Sequence, residues 1–386
     1  MGIFKFMTPE IIFGTNSLSQ IGESLLRLGA KKVFVVSDEG VLNSGWVERA
    51  VQYLKDCKLD YCLWTEPTPN PKDYEVEKGV HAYIESGCNS VVGIGGGSAI
   101  DAAKSVALLA TNGGTIRQYE GVDLVTSPLP PMVMAPTTAG SGSEVSQFAI
   151  IGNSTRKVKM TIVSKSLIPD IAIIDPLTLM TKDARLTAHT GMDVLTHAIE
   201  SYISLAATPM TEGYSLQAIR LIAEYLRPSV ASRHNREAKE AMAMASLQAG
   251  IAFSNAILGA VHAMSHQLGG LLDLPHGEMN SILLPYVLEY NLISCPEKFK
   301  NISAAFGENV DILSLTGAAG KAIKAVKELA GDLDIPDSLR NLNLKEDQID
   351  FMSLNAVQDA CMTTNPRDMK AADVKLLFRR ALGGGF

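Results

Sequence analysis

Along roughly the first 175 residues, apolar positions come in short compact runs that alternate with amphipathic stretches. IIFG precedes the helical pattern of NSLSQIGESLLRLGA, and KKVFVVSD then reads as a buried parallel strand, a β-branched and aromatic run ending in an acid. A helix from about Gly45 to Cys57, the strand DYCLWTEP, the proline-rich turn PTPNPKDY, the helix YEVEKGVHAYIESG and the strand SVVGIGG continue the alternation. PMVMAPTT follows, and KVKMTI and DIAIIDP are expected as a strand and a last strand returning to the sheet. This order predicts a parallel sheet covered by helices on both faces. From about Pro176 the periodicity becomes helical, and AKEAMAMASLQAGIAFSNAILGAV, with little charge, reads as buried helix whose Met and Ala stripe is core. The expected division is an α/β domain over 1–180 and a helical domain over 181–386, with the boundary near 176–185.

Two polar loops interrupt the α/β half. GIGGGSAIDAAK, Gly93 to Lys104, follows a strand and opens a helix, so its glycines let a ligand approach backbone N–H groups at a helix start, where phosphate is favoured. Ser98 and Asp101 have the S-x-x-D spacing of a capping box, which predicts that they close the helix start between them. The segment is not a G-x-x-x-x-G-K-[ST] loop. It also departs from the usual dinucleotide fingerprint, because the strand ending at Asp38 comes before the glycines instead of about 20 residues after them. The sheet is therefore expected as a Rossmann-like variant. APTTAGSGSEVS, Ala135 to Ser146, is dense in hydroxyls and glycine and can hydrogen-bond a pyrophosphate or an amide ring. Either loop alone could be an ordinary tight turn or surface loop.

The helical half concentrates metal-binding side chains. GMDVLTHAIE places Asp193 and His197 four residues apart, and VHAMSHQLGGLLDLPHG places His262 and His266 four apart with His276 just before a glycine. On a helix each such pair projects from one face. A single histidine in such a place is more often a hydrogen-bonded core or surface residue. A carboxylate and several imidazoles amid Ala, Leu, Gly and Met would, however, bury polar groups with no evident structural partner. One metal enclosed by nitrogens and one oxygen, with a position left open, suits catalytic Zn(II) or Fe(II).

Composition narrows the partners. A 386-residue chain with 46% hydrophobic residues can build two domains, and a net charge of −7 without long Lys/Arg runs argues against nucleic acid or an anionic membrane surface. Cys57, Cys62, Cys88, Cys295 and Cys361 are odd in number, scattered and without a CxxC, which reads as reduced cytoplasmic thiols rather than a disulfide framework or zinc ribbon. No signal-peptide or membrane-spanning apolar run is visible, so a soluble, unprocessed protein acting on small molecules is expected.

Taken in order, GGGSAIDAAK, PTTAGSGSE, GMDVLTHAIE, HAMSHQLGGLLDLPHG and TNPR (Thr364 to Arg367) make the chain resemble, over nearly its whole length, the iron-containing (group III) alcohol dehydrogenases. The resemblance implies an N-terminal dinucleotide-binding domain facing an all-helical metal-binding domain, with the active site in the cleft. It implies Asp193, His197, His262 and His276 as metal ligands and His266 as a pocket residue relaying a proton. For the cofactor it implies Gly96, Gly97 and Ser98 as a pyrophosphate cradle, Thr137, Thr138 and Ser141 as a second cofactor loop, and Asp38 at the adenosine ribose. Asn70 and Lys159 are implied as further neighbours of the cofactor. A carboxylate at Asp38 would repel a 2′-phosphate, which favours NAD(H) over NADP(H). The implied activity is NAD(H)-linked hydride transfer to and from a small primary alcohol, diol or aldehyde, with Fe(II), or Zn(II), acting as a Lewis acid on the substrate oxygen. A homo-oligomer is implied too. Phe148, Leu258, Leu272 and Leu274 are candidate pocket residues.

Three alternatives share parts of this pattern: a glycerol-dehydrogenase-like zinc polyol dehydrogenase, a dehydroquinate-synthase-like lyase, and a non-catalytic metal and nucleotide sensor. Asp193 with His197 four residues on favours the iron-type enzyme over the first. The second is expected to show more basic residues around the metal than HAMSHQLGGLLDLPHG offers, and the third has no reason to keep every ligand and both loops.

Overall fold

The computed structural model describes residues 5–383. The chain divides into two compact units, Met1–Lys182 and Asp183–Phe386.

In the first unit strands and helices alternate: β1 (Glu10–Phe13), α1 (Ile21–Arg27), β2 (Lys32–Val36), a short α2 (Glu39–Asn43), α3 (Trp46–Asp56), β3 (Asp60–Trp64), α4 (Asp73–Ser86), β4 (Ser90–Gly95) and α5 (Gly97–Asn112). Then come β5 (Gly121–Val122), β6 (Met132–Pro136), β7 (Phe148–Asn153), β8 (Val158–Val163) and β9 (Ile171–Ile174). Six strands form one sheet in the order β1-β9-β6-β4-β2-β3, every pairing parallel. Side chains alternate across it. Phe34, Val36, Val91, Met132 and Met134 pack with Val76 and Ile100 of α4 and α5, while Val33, Val35, Val92, Ile94 and Val133 pack with Leu25, Trp46 and Leu54 of α1 and α3. Both faces are buried, so strands such as KVFVV must be apolar throughout.

KVKMTI does not return to this sheet. It is β8, paired antiparallel with β7, and with β5 the two form a separate three-stranded sheet. FAIIGN (β7), hidden behind the polar loop, is the strand that sequence periodicity overlooked. It turns KVKMTI into half of a hairpin instead of a crossover strand.

The second unit is helical. Its first elements are α6 (Ala184–Ile203), α7 (Pro209–Ala231), α8 (Arg236–Ala256), α9 (Ala260–Leu272) and α10 (His276–Asn291). Asp183 starts α6 by accepting a hydrogen bond from Leu186 N at 2.8 Å. α6, α7 and α8 pack together, and α10 packs on both α6 and α9. The chain turns by 100° between α8 and α9, at Ile257 with its φ of 62°, and this brings the start of α9 against α6 residues. No single helix among the described residues is long and apolar enough to cross a membrane.

Candidate active site

The strand order reverses between β2 and β4: from β2 the chain moves outward to β3, then crosses back to β4 on the other side. In open α/β sheets a ligand binds outside the carboxyl ends of the strands at such a reversal. The residues there are those the glycine loop and the strand-end acid suggested. Asp38 follows β2, caps α2 by accepting from Val41 N at 2.9 Å, and has Oδ2 within 3.3 Å of where a Cβ on Gly95 would stand. Thr137 N donates to Gly95 O at 2.8 Å, Thr138 lies against Gly96, and Ser141 lies against Gly97. A Cβ on Gly97 would come within 2.7 Å of Ser141 Cβ, so only glycine lets the second loop approach the helix start this closely. Ser98 Oγ accepts from Asn70 N at 3.3 Å, and Lys159 Nζ donates to Asn70 Oδ1 at 2.8 Å. The structure thus gathers Asp38, Asn70, Gly96, Gly97, Ser98, Thr137, Thr138, Ser141 and Lys159 around one helix N-terminus.

The capping box expected from Ser98 and Asp101 is not formed. Gly96 occupies the cap position with no side-chain cap. Asp101 instead accepts from Ser143 Oγ and from Ile150 N at 3.0 Å, because the 137–146 loop folds over this face of α5 and offers donors that the helix start would otherwise supply.

In the helical unit three helices each bring a pair of side chains four residues apart: Asp193 and His197 on α6, His262 and His266 on α9, His276 and Asn280 on α10. Donor atoms of Asp193, His262 and His276 lie within 4.8 Å of one another. The His197 ring stacks on His262, centroids 4.6 Å apart, and on Phe253 at the same distance. His197 thus stands next to this group, its ring against that of His262.

Glu200, the last residue of GMDVLTHAIE, orients His262. Its carboxylate sits on the N-terminus of α9, accepting from Gly259 N (3.1 Å), Val261 N (2.7 Å) and His262 N (3.4 Å), and faces His262 Nδ1 at 2.6 Å. Gly259 must be glycine here, since a Cβ would stand 2.8 Å from Glu200 Oε1 and 3.1 Å from Asn365 Oδ1. Burial pushes the Glu200 carboxyl up to about 7, against those backbone donors, and drives the His262 imidazole well below its ordinary range, helped by His197. With Nδ1–H held by Glu200, His262 presents the Nε2 lone pair, as a metal-binding imidazole backed by a carboxylate does. The TNPR segment serves the same helix. Asn365 Oδ1 accepts from Ala260 N at 3.2 Å, and Thr364 Oγ1 donates to Leu258 O at 2.6 Å.

His266 Nδ1 faces Asp359 Oδ2 at 2.8 Å, and its ring stacks on His276 with centroids 5.4 Å apart. Burial works to raise the Asp359 carboxyl, but His266 and the amide of Cys361 hold it below its usual value. Asn280 is the residue that periodicity overlooked. Its Nδ2 donates to Asp193 Oδ1 at 2.6 Å and lies 3.1 Å from both His262 Nε2 and His276 Nε2, while its Oδ1 is buried without a partner. One amide with two hydrogens is shared by three acceptors. Such convergence of one carboxylate oxygen and two imidazole nitrogens, with Asp193 and His262 buried and His276 half-buried, fits a divalent first-row cation.

A glycine-lined helix start at a sheet reversal, and a buried nitrogen and oxygen donor set on helices, are the parts of a metal-dependent nicotinamide dehydrogenase. The profile described as iron-containing alcohol dehydrogenase matches residues 8–176, and that of the C-terminal part of the Fe-containing alcohol dehydrogenase family matches 187–382. The 1,3-propanediol dehydrogenase of Klebsiella pneumoniae is 44% identical over 382 residues, 98% of this chain and 99% of that protein. The NAD-dependent methanol dehydrogenase of Bacillus methanolicus is 40% identical over 98% of this chain and 99% of its own. A crystal structure of 1,3-propanediol oxidoreductase, 44% identical, superposes with a TM-score of 0.96 over 98% of this chain and all of that one. The chain belongs to the iron-containing alcohol dehydrogenase family. It is an NAD-linked, metal-dependent oxidoreductase that moves hydride between the nicotinamide cofactor and a small alcohol or aldehyde.

Proposed function

We propose that Asp193, His197, His262 and His276 hold Fe(II), that Gly96, Gly97, Ser98, Thr137, Thr138 and Ser141 receive the pyrophosphate of NAD(H), and that Asp38 takes the adenosine ribose, with Asn70 and Lys159 beside it. In this reading Met1–Lys182 is the dinucleotide-binding domain and Asp183–Phe386 the metal-binding and substrate domain. The observation that carries it is the convergence of Asp193, His262 and His276 donor atoms within 4.8 Å on three helices. When bound, the metal supplies Lewis-acid polarisation of the substrate oxygen and NAD(H) carries the hydride.

The chain's own residues do the rest. Glu200 fixes the tautomer and the orientation of His262. Asp359 does the same for His266, leaving Nε2 to accept the alcohol proton or return it to the alkoxide oxygen. Asp38 selects NAD(H) by opposing a 2′-phosphate in a partly desolvated site.

As substrates we propose short unbranched primary alcohols, diols and their aldehydes. The likeness to 1,3-propanediol dehydrogenase supports this, as do the apolar side chains flanking α9, with Leu258 buried just before it, Leu272 its last residue and Leu274 just after. The reading includes a homo-oligomer and cytoplasmic residence, the latter supported by five unpaired thiols. The test is protein purified without oxygen, stripped, and reloaded separately with Fe(II) or Zn(II), then assayed for NAD reduction with 1,3-propanediol and a panel of short alcohols. Turnover restored by Fe(II) supports the assignment. Bound metal without nicotinamide-dependent turnover on any of them overturns it.

A further inference from the structure

The first unit buries a second polar cluster, beneath the loops assigned to the cofactor. Lys104 on α5 is 0% exposed, and Nζ donates to Ser146 O at 2.7 Å, Phe148 O at 3.0 Å and Ser146 Oγ at 3.4 Å. Asp101, one turn earlier on the same face, takes Ser143 Oγ and Ile150 N. Glu144, 2% exposed, completes the cluster with Oε2 unpartnered. Three ionisable groups in an otherwise apolar layer are costly, and apolar side chains of equal volume would hold the same helix with less penalty. What they do that apolar side chains cannot is fix particular backbone groups. Ser143 and Ser146 lie at the end of the loop whose Thr138 and Ser141 lie against Gly96 and Gly97, and Phe148 and Ile150 begin β7, the strand into which that loop runs. α5 therefore carries both the helix start that faces the ligand and, one to two turns on, the anchors that set the loop over it.

We propose that Asp101 and Lys104 are positioning residues for the dinucleotide: they tether the 137–146 loop to α5, so that the loop and the helix N-terminus form one preorganised cradle before cofactor arrives. This rests on reading Gly96–Ser98 and Thr137–Ser141 as the pyrophosphate site. Lys104 is fully buried and both side chains spend their hydrogen bonds on residues 143–150, so loss of the tether acts on binding and not on the chemical step.

The test uses the metal-loaded full-length protein and three readouts: NADH Kd by fluorescence titration, hydrogen exchange of residues 137–147 without cofactor, and Fe(II) affinity. Ser143→Ala removes a single hydroxyl bonded to a carboxylate, and is expected to raise NADH Kd and KM about tenfold with kcat within about twofold. Faster exchange in 137–147 and unchanged Fe(II) affinity should accompany it. Lys104→Met should do the same by about a hundredfold, three hydrogen bonds being lost at once. NADH Kd and loop exchange at wild-type values in Ser143→Ala, or Fe(II) affinity falling in step with NADH affinity, would overturn the proposal. Failure of the unsubstituted protein to bind NADH overturns the cofactor reading itself, and is told apart because no variant is involved.

Discussion

Lys104 with Asp101 and Glu144 in the α/β unit, and Asp193 with Glu200, His197 and His262 in the helical unit, are all buried, yet their charges are arranged oppositely. The first cluster contains its own cation, whose hydrogen-bonding capacity is used on two backbone carbonyls and a hydroxyl. In the second, no lysine or arginine among the described residues hydrogen-bonds to Asp193, Glu200 or His262. Its acceptors converge on the amide of Asn280. Buried carboxylates without a counter-charge are costly, and a bound cation removes that cost. On the proposed reading the first cluster, with its own lysine, holds structure in place, whereas the second is the one that takes the metal.

The contrast breaks first at His262. His262→Ala removes a nitrogen from the converging set and leaves Glu200 without its imidazole, so turnover should fall roughly 10³-fold or more, as expected when a Lewis acid worth several kcal/mol is displaced. Metal retained per protein, measured beside kcat, checks that the loss runs through the ion. Retention of full metal and full activity would mean that the convergence is structural after all.

Glu200→Gln sharpens the comparison at the next magnitude. A Gln amide must point its NH₂ either at the α9 backbone donors or at His262 Nδ1, and neither accepts it while His262 keeps its present tautomer. Fe(II) affinity should drop about 10- to 100-fold, the usual effect of losing a carboxylate behind a metal-binding histidine. A chelator-competition titration reads this directly, with NADH Kd as the control that should not move.

How much of these sites showed in the sequence depended on whether the partners were local. Asp193/His197 and His262/His266 declare themselves through helical spacing, and the two glycine-rich loops through their position after strands. Glu200 stands within the same motif, three residues past His197, and a lone acid on the face of a buried helix was the available signal. Asn280 repeats the four-residue spacing from His276, but an amide is not a usual ligand, and its role emerges only where α10 meets α6, 87 residues from Asp193. Asp359 is 93 residues from His266, so no local pattern joins them. Asp101 was misleading because a capping-box spacing and a tertiary tether look alike along the chain. Only the fold of the loop over α5 separates them.

Asp38 offers a smaller effect, confined to the first unit. Asp38→Ala removes the carboxylate beside Gly95, so the ratio of kcat/KM with NADP⁺ to that with NAD⁺ should rise about tenfold, as expected from one charge repulsion in a partly exposed site. An unchanged ratio would place the ribose elsewhere.

The smallest effect concerns stability, and it tests how the first cluster accommodates Glu144, whose Oε2 is unpartnered. Burial raises Glu144 from 4.5 to about 7 and lowers Lys104 from 10.5 to about 8, and it raises Asp101 too. All three shifts disfavour charge, and for Glu144 this favours the protonated acid in the folded protein below about pH 7. A carboxyl whose folded pKa lies above its unfolded one binds its proton more tightly when folded, so stability falls as pH rises from about 4.5 to about 7 and then levels off. Glu144→Gln keeps a neutral side chain of similar size at every pH. It should match the native protein near pH 5 and exceed it near pH 8 by at most about 3 kcal/mol, seen as a widening difference in Tm. A difference that shrinks as pH rises would mean that Glu144 is held ionised by Lys104 instead of standing as a neutral acid.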